Sequence, residues 1–117
     1  ADGKLVISDR FADSTFVYQG FVNNFGIQKA KKFDKNILDN FLPSKTFLFK
    51  LSTSKILSRL KKRKKKNKYD KLEKNFHDRV NIGYAKISNN KRFIKIDASQ
   101  SIISIHKKII KNINSLI

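Results

Sequence analysis

The chain has 117 residues, the size of one domain, and carries 27 Lys and Arg against 9 Asp and Glu, a formal net charge of +18. A field of that sign attracts polyanions, whether nucleotides, nucleic acids or anionic membranes. The absence of cysteine excludes disulfides and thiolate metal sites, and no apolar run approaches the length of a bilayer span.

Lysine supplies most of the charge. It accompanies heavy use of Asn, Ile and Phe, a pattern that A/T-rich coding produces without selection for binding. Arginine is confined to positions 10, 59, 63, 79 and 92. These are the more informative cations, because a guanidinium grips phosphate with a fork and an ammonium cannot. The chain has no methionine and opens with Ala1-Asp2-Gly3-Lys4 directly before a strand pattern, as expected of the interior of a longer protein.

In chain order, Lys4–Ser8 reads as a short buried strand. Asp13 or Ser14 can cap a helix running toward Phe21, and Asn23-Asn24-Phe25-Gly26 is turn chemistry. Ile27, Ala30, Phe33, Ile37, Leu38 and Phe41 fall at helical spacing over about Gln28 to Phe41, and Pro43 marks the stop. Thr46–Leu51 is a second strand. Ser52-Thr53-Ser54 supplies caps for a helix with Ile56, Leu57 and Leu60, which gives way to the basic run Lys61–Lys68. From Asp70 the helical period returns, with Leu72, Phe76, Val80, Tyr84 and Ile87 on one face. Arg92–Asp97 is a third strand. Ala98-Ser99-Gln100-Ser101 caps a last helix whose Ile105, Ile109, Ile113 and Leu116 face inward. Strands alternating with helices give an α/β fold with a parallel sheet and right-handed crossovers.

The run from Asp9 to Gly20, Asp-Arg-Phe-Ala-Asp-Ser-Thr-Phe-Val-Tyr-Gln-Gly, places charge where a strand hands over to a helix. Open α/β sheets bind ligands at that point. A carboxylate beside a guanidinium suits phosphoryl chemistry, since Arg neutralises phosphate charge and a carboxylate organises magnesium and water. On a helix, residues 15, 18 and 19 share a face. The run resembles the Asp-Arg-(Phe/Tyr)-x-x-Ser-Thr-x-x-Tyr-Gln-Gly signature of bacterial thymidylate kinases, which phosphorylate dTMP to dTDP with ATP. Two later stretches are similar to that family as well. Phe76-His77-Asp78-Arg79-Val80-x-x-Gly83-Tyr84 resembles the helix after its lid, and Ile96-Asp97-Ala98-Ser99-Gln100 its Ile-Asp-Ala-Ser-Gln strand and cap.

The resemblance implies roles for particular residues. Arg10 would contact the phosphates of dTMP, and Asp9 would sit in the magnesium and phosphate network as the metal-side residue. With Ser14 on the same wall, Thr15 would bond the thymine edge, Tyr18 would lie against the deoxyribose where a 2′-hydroxyl would clash, and Gln19 would line the base pocket. Arg59 and Arg63, spaced i and i+4, match lid arginines that close over the ATP phosphates, in a lid spanning residues 61–71. Asp97 and Ala98 would border the adenine. Where many relatives have Asp-Arg late in the lid, this chain has Asn67-Lys68, so Lys68 offers a point charge in place of a fork. Phe76, Val80 and Tyr84 read as core, and Arg79 as a phosphate helper or a partner of Asp78 or Glu73. His77 is not needed as a base, because the acceptor phosphate is already ionised.

There is no G-x-x-x-x-G-K-[ST] phosphate loop anywhere in the chain. The resemblance therefore covers the whole of residues 1–117 but only the C-terminal part of the family's single domain. It implies an incomplete P-loop nucleoside monophosphate kinase fold with the third, fourth and fifth strands (Lys4–Ser8, Thr46–Leu51 and Arg92–Asp97) and without the first two. The first strand belongs between the third and fourth. Its loss would leave ladder groups unmet at about 1–3 kcal/mol each, against a total stability of about 5–15 kcal/mol. The chain alone is thus expected to be unstable and inactive. Its parent would be a cytoplasmic Mg2+- and ATP-dependent enzyme, homodimeric and not membrane-bound. The alternative reading is a basic nucleic-acid-binding fragment, with Lys61–Lys68 tracking phosphates and Phe and Tyr stacking on bases.

Overall fold

The computed structural model describes residues 3–22, 26–38, 41–63 and 74–117. Its sheet has two strands, β1 (Thr46–Lys50) and β2 (Phe93–Asp97), paired in parallel with Thr46 opposite Phe93 and Lys50 opposite Asp97. The ladder runs on at both ends, where Thr46 N–H donates to the Arg92 carbonyl and Ala98 N–H to the Lys50 carbonyl. Leu48 and Ile96 point inward and are buried, whereas Phe49 is exposed. A parallel pair requires a crossover, supplied here by α3 (Thr53–Lys61) and α4 (Lys74–Ile87).

The helices begin where serine can satisfy their first N–H groups. Ser52 Oγ accepts from Lys55 N–H at 3.4 Å to start α3. Ser101 Oγ accepts from Ser104 N–H at 3.1 Å to start α5 (Ile102–Asn114). Such caps are worth about 0.5–2 kcal/mol each. The helical period after Asp70 produces α4 as expected: Val80 and Ile87 are buried, and Phe76 and Tyr84 half-buried. Leu72 lies outside the described residues.

The main core forms where α4 meets the N-terminal helix. That helix starts as α1 (Ala12–Thr15) and widens into a π-helical segment, Phe16–Val22. Val17, fully buried, packs with Val80 and Ile87, and Tyr18, Ile27, Phe76, Tyr84 and Phe93 surround them. Gly83 allows this close approach. A Cβ there would lie 2.9 Å from Val17 Cγ1 and 3.1 Å from Phe21 Cδ1. A second cluster joins Ala12 and Phe16 to Ala30 of α2 (Ile27–Leu38), with Phe11 against it. The side chains of Phe33, Ile37 and Leu38 lie outside the description. Phe41, expected on that helix, lies beyond its end and meets Phe11 edge-on, ring centroids 6.3 Å apart.

Three expectations are corrected. Lys4–Ser8 is not a strand, and Leu5, Val6 and Ile7 are 59%, 84% and 80% exposed. Strand propensity is realised only beside a partner, and among the described residues β1 and β2 pair only with each other. Asp13 does not cap. The N-cap is Phe11, with no side-chain cap bond, and Asp13 sits inside the first turn. The last helix buries less than expected. Ile105, Ile109 and Ile113 are half-buried, Leu116 is exposed, and no α5 residue is fully buried.

Candidate functional site

The Asp9–Gly20 run forms a corner in front of α4. Arg10 has φ +71°, the left-handed region that costs a non-glycine residue about 1–3 kcal/mol. Ser8 Oγ donates to its carbonyl at 2.8 Å. This turn brings the Arg10 guanidinium over the Tyr18 ring, 5.9 Å from its centroid. Tyr18 is half-buried between Phe76 (centroids 6.1 Å apart) and Tyr84 (6.4 Å, edge-on). The ring is thereby fixed on its core side and carries a cation on the other. Ser14 Oγ lies 3.1 Å from the Tyr84 hydroxyl, so that its hydroxyl faces α4. Asp9, Thr15 and Gln19 are exposed around this corner.

The corner is anchored by a pair that local sequence reasoning missed. Arg92, just before β2, grips Asp13 with both ends of its fork: Nη1 donates to Oδ2 at 2.9 Å and Nη2 to Oδ1 at 3.0 Å. Nη1 also donates to Thr46 Oγ1 at 2.6 Å, and the guanidinium lies 4.3 Å from the Phe93 ring centroid. Both side chains are largely buried, so loss of one partner would leave a charge without compensation. The scarcity of arginine was the available signal, since each of the few guanidiniums calls for an acidic or phosphate partner.

A second group gathers at the C-terminal end of the sheet. Arg59 Nη2 donates to the Ala98 carbonyl at 3.0 Å, joining α3 to the turn after β2. Asp97 Oδ1 accepts from the Ser99 hydroxyl at 2.6 Å and from Ser99 N–H at 2.9 Å. These two bonds, the hydroxyl's first, hold the Asp97 carboxyl below its usual value. Arg63 is exposed just beyond the end of α3. Most of the 61–71 lid, including Asn67 and Lys68, lies outside the described residues. At the base of the lid helices, Asp78 accepts from Thr53 Oγ1 at 2.5 Å and pairs with Lys74 at 2.7 Å. The Lys74 bond, then the Thr53 bond, lowers its pKa. Asn81 adds bonds to the Leu51 carbonyl and Thr53 Oγ1, both at 3.3 Å. Asp78 thus binds α3 to α4, and Arg79 Nη2 donates to the Phe21 carbonyl at 3.0 Å with its guanidinium 5.1 Å from the Phe21 ring centroid. His77 is buried edge-on to Phe76, and its Nε2 has no partner among the described residues.

The site residues therefore fall into two groups, Arg10–Tyr18–Ser14 against α4 and Arg59–Ala98–Asp97 at the sheet end. A family model described as thymidylate kinase matches residues 1–109. The chain belongs to the thymidylate kinase family. Its relatives include the thymidylate kinase of Thermoanaerobacter sp. (strain X514), 36% identical over 114 residues, covering 93% of this chain and 54% of the relative. That of Mycoplasma mobile is 33% identical over 119 residues, covering 98% of this chain and 57% of the relative. That of Mycoplasma capricolum is 39% identical over 111 residues, covering 92% and 52% respectively. The chain spans about half the length of these relatives and matches their C-terminal parts. The thymidylate kinase family implies a P-loop nucleoside monophosphate kinase fold, and the α/β arrangement with a two-stranded parallel sheet is consistent with part of one. No helix among the described residues is long and apolar enough to cross a membrane.

Proposed function

We propose that this chain is the dTMP-recognising and lid-bearing part of a thymidylate kinase that transfers the γ-phosphoryl group of ATP to dTMP. The observation that carries this reading is the Arg10–Tyr18 pair: a guanidinium held in a strained backbone conformation above a fixed aromatic ring. Strain of this kind persists where the surrounding structure imposes it, and it clusters at ligand sites.

In this reading Arg10 neutralises the dTMP phosphate. Tyr18 packs against the deoxyribose, and Thr15 and Gln19, exposed at the same corner, meet the base. Ser14 sets the wall through Tyr84. Arg59 and Arg63 serve the ATP phosphates, and the Asp97–Ala98 turn borders the adenine. The described residues contain no cluster of three or more His, Cys, Asp or Glu that could hold a metal by themselves. Asp13 is committed to Arg92. Asp9 is then the available carboxylate, which fits Mg2+, an ion held by one or two carboxylates with substrate phosphates. When bound, Mg2+ would draw charge from the phosphates, while this chain contributes positioning and charge neutralisation.

In the parent fold, β1 and β2 would be the fourth and fifth strands and Lys4–Ser8 the third, with the phosphate-binding half and a homodimer contact supplied by the intact enzyme. The isolated 117-residue chain should show no cooperative thermal transition by circular dichroism and no dTMP-dependent ADP formation in a coupled assay. ADP formation by the isolated chain would sink the fragment reading. Binding of any oligonucleotide, steeply salt-dependent and indifferent to dTMP, would favour a nucleic-acid-binding role instead.

A further inference from the structure

Tyr84 reads from the sequence as a core residue, yet it is only half-buried and ends in a hydroxyl. That hydroxyl lies 3.1 Å from Ser14 Oγ, a contact between residues 70 positions apart. The Tyr84 ring meets Tyr18 edge-on, with centroids 6.4 Å apart and planes 80° apart. Ser14 and Tyr18 stand about one helical turn apart, so one α4 side chain holds two points of the candidate dTMP corner. The packing explains how it reaches them. Gly83, the residue before Tyr84, has no Cβ to collide with Val17, the residue before Tyr18, so the helices close up where Tyr84 reaches across. Tyr18 is also carried on the π-helical Phe16–Val22 segment. Such segments are rare and occur frequently at functional sites. The wider turn takes side chains off the regular helical rows, so the direction of the Tyr18 ring is set by what it packs against.

We propose that Tyr84 is a positioning residue for sugar recognition: it braces the Tyr18 ring so that a ribonucleotide is rejected. The inference rests on the reading of Tyr18 as the residue beside the deoxyribose. A wall that discriminates by clash does so only as strongly as it resists being pushed back. Phe76 and Tyr84 lie on the core side of the Tyr18 ring, and the Arg10 guanidinium lies over it. Phe76 carries no polar group. Tyr84 is fixed at its tip by Ser14 as well as along its ring edge, which makes it the stiffer of the two braces.

The test uses the intact enzyme to which this chain belongs, so it does not depend on the isolated chain folding. It compares kcat/KM for dTMP with that for ribothymidine 5′-monophosphate in a coupled ADP assay. The fraction of folded enzyme cancels from this ratio, so a purely structural role cannot move it. Tyr84→Leu should lower the preference for dTMP about two- to tenfold, the span of one edge-to-face aromatic contact. Tyr84→Phe, which keeps the ring and removes only the tie to Ser14, should lower it less. Leu48→Ala, which opens a gap at a buried position of β1, should reduce both activities together and leave the ratio unchanged. An unchanged ratio in both Tyr84 variants overturns the inference and leaves the proposed function standing. Should Tyr84→Leu fail to fold, an unchanged ratio in Tyr84→Phe has the same force. Equal use of the two nucleotides by the unsubstituted enzyme also overturns the inference alone. No phosphorylation of dTMP by that enzyme overturns the proposed function and this inference with it.

Discussion

The layer formed by the Phe16–Val22 segment on α4 and the layer formed by the sheet with α5 use similar residues to different effect. In the first, Val17, Val80 and Ile87 are buried, a glycine lets two helices touch, and a forked ion pair fastens the layer to β2. In the second, Phe49, Ile102 and Ile103 are exposed, and among the described residues the two strands pair only with each other. Burying one large apolar side chain is worth about 1.5–3 kcal/mol. The first layer collects that stabilisation within this chain and the second leaves it largely unclaimed. Parallel sheets are stable when both faces are covered, so the contrast shows which half of the molecule packs against its own residues and which is left uncovered.

The sharpest way to break the contrast is at the ion pair. Asp13→Ala should cost about 3–5 kcal/mol, read as loss of slow amide exchange in α4 and the Phe16–Val22 segment, because it strands the Arg92 guanidinium. The double substitution Asp13→Leu with Arg92→Met should recover most of that protection. If the single change leaves exchange untouched, the pair does not anchor the layer. A smaller loss, about 1–3 kcal/mol by the same measurement, should follow Gly83→Ala. The new methyl meets the stiff Val17 side chain, and the gain in helix propensity is only about 1 kcal/mol. Unchanged or slower exchange would show that Val17 gives way.

In the second layer, Ile103→Ser should shift amide exchange by no more than about 0.5 kcal/mol, since Ile103 is 69% exposed. A large loss would mean that α5 is covered after all. The smallest effect expected is from pH. Asp78 has its carboxyl pKa lowered from 3.8, first by the Lys74 bond and then by the Thr53 bond. A lowered folded value gives stabilisation that is present above the unfolded pKa and lost as pH falls through the folded one. The α3–α4 link should therefore hold at neutral pH and loosen only below about pH 4. An NMR titration of the Asp78 carboxyl that places its midpoint at or above 3.8 would contradict this.

The sequence announced what local chemistry controls. Ser52 and Ser101 started their helices, the 3.6-residue period after Asp70 became α4, and the β-branched and aromatic runs near Phe47 and Ile94 became the two paired strands. What escaped depends on distant partners. Leu5–Ile7 has strand composition, but among the described residues β1 and β2 pair only with each other. Asp13 looks like a cap because short acidic residues favour that position, yet its partner Arg92 lies 79 residues away. The widening at Phe16–Val22 coincides with the contact that Gly83 permits, also far along the chain. Of the site residues, Arg10 and Tyr18 meet as neighbours on one short stretch, a contact within reach of local reading. The Arg59–Ala98 bond could not be read without the fold.

Arg10 also bears on how such a chain tolerates change. Its left-handed backbone is one that glycine adopts freely and that costs an L-residue about 1–2 kcal/mol. A search for substitutions ranked by folding stability alone would therefore favour glycine at position 10. It would discard the guanidinium above Tyr18 on which the proposed recognition of phosphate depends, so robustness and activity pull this one position in opposite directions.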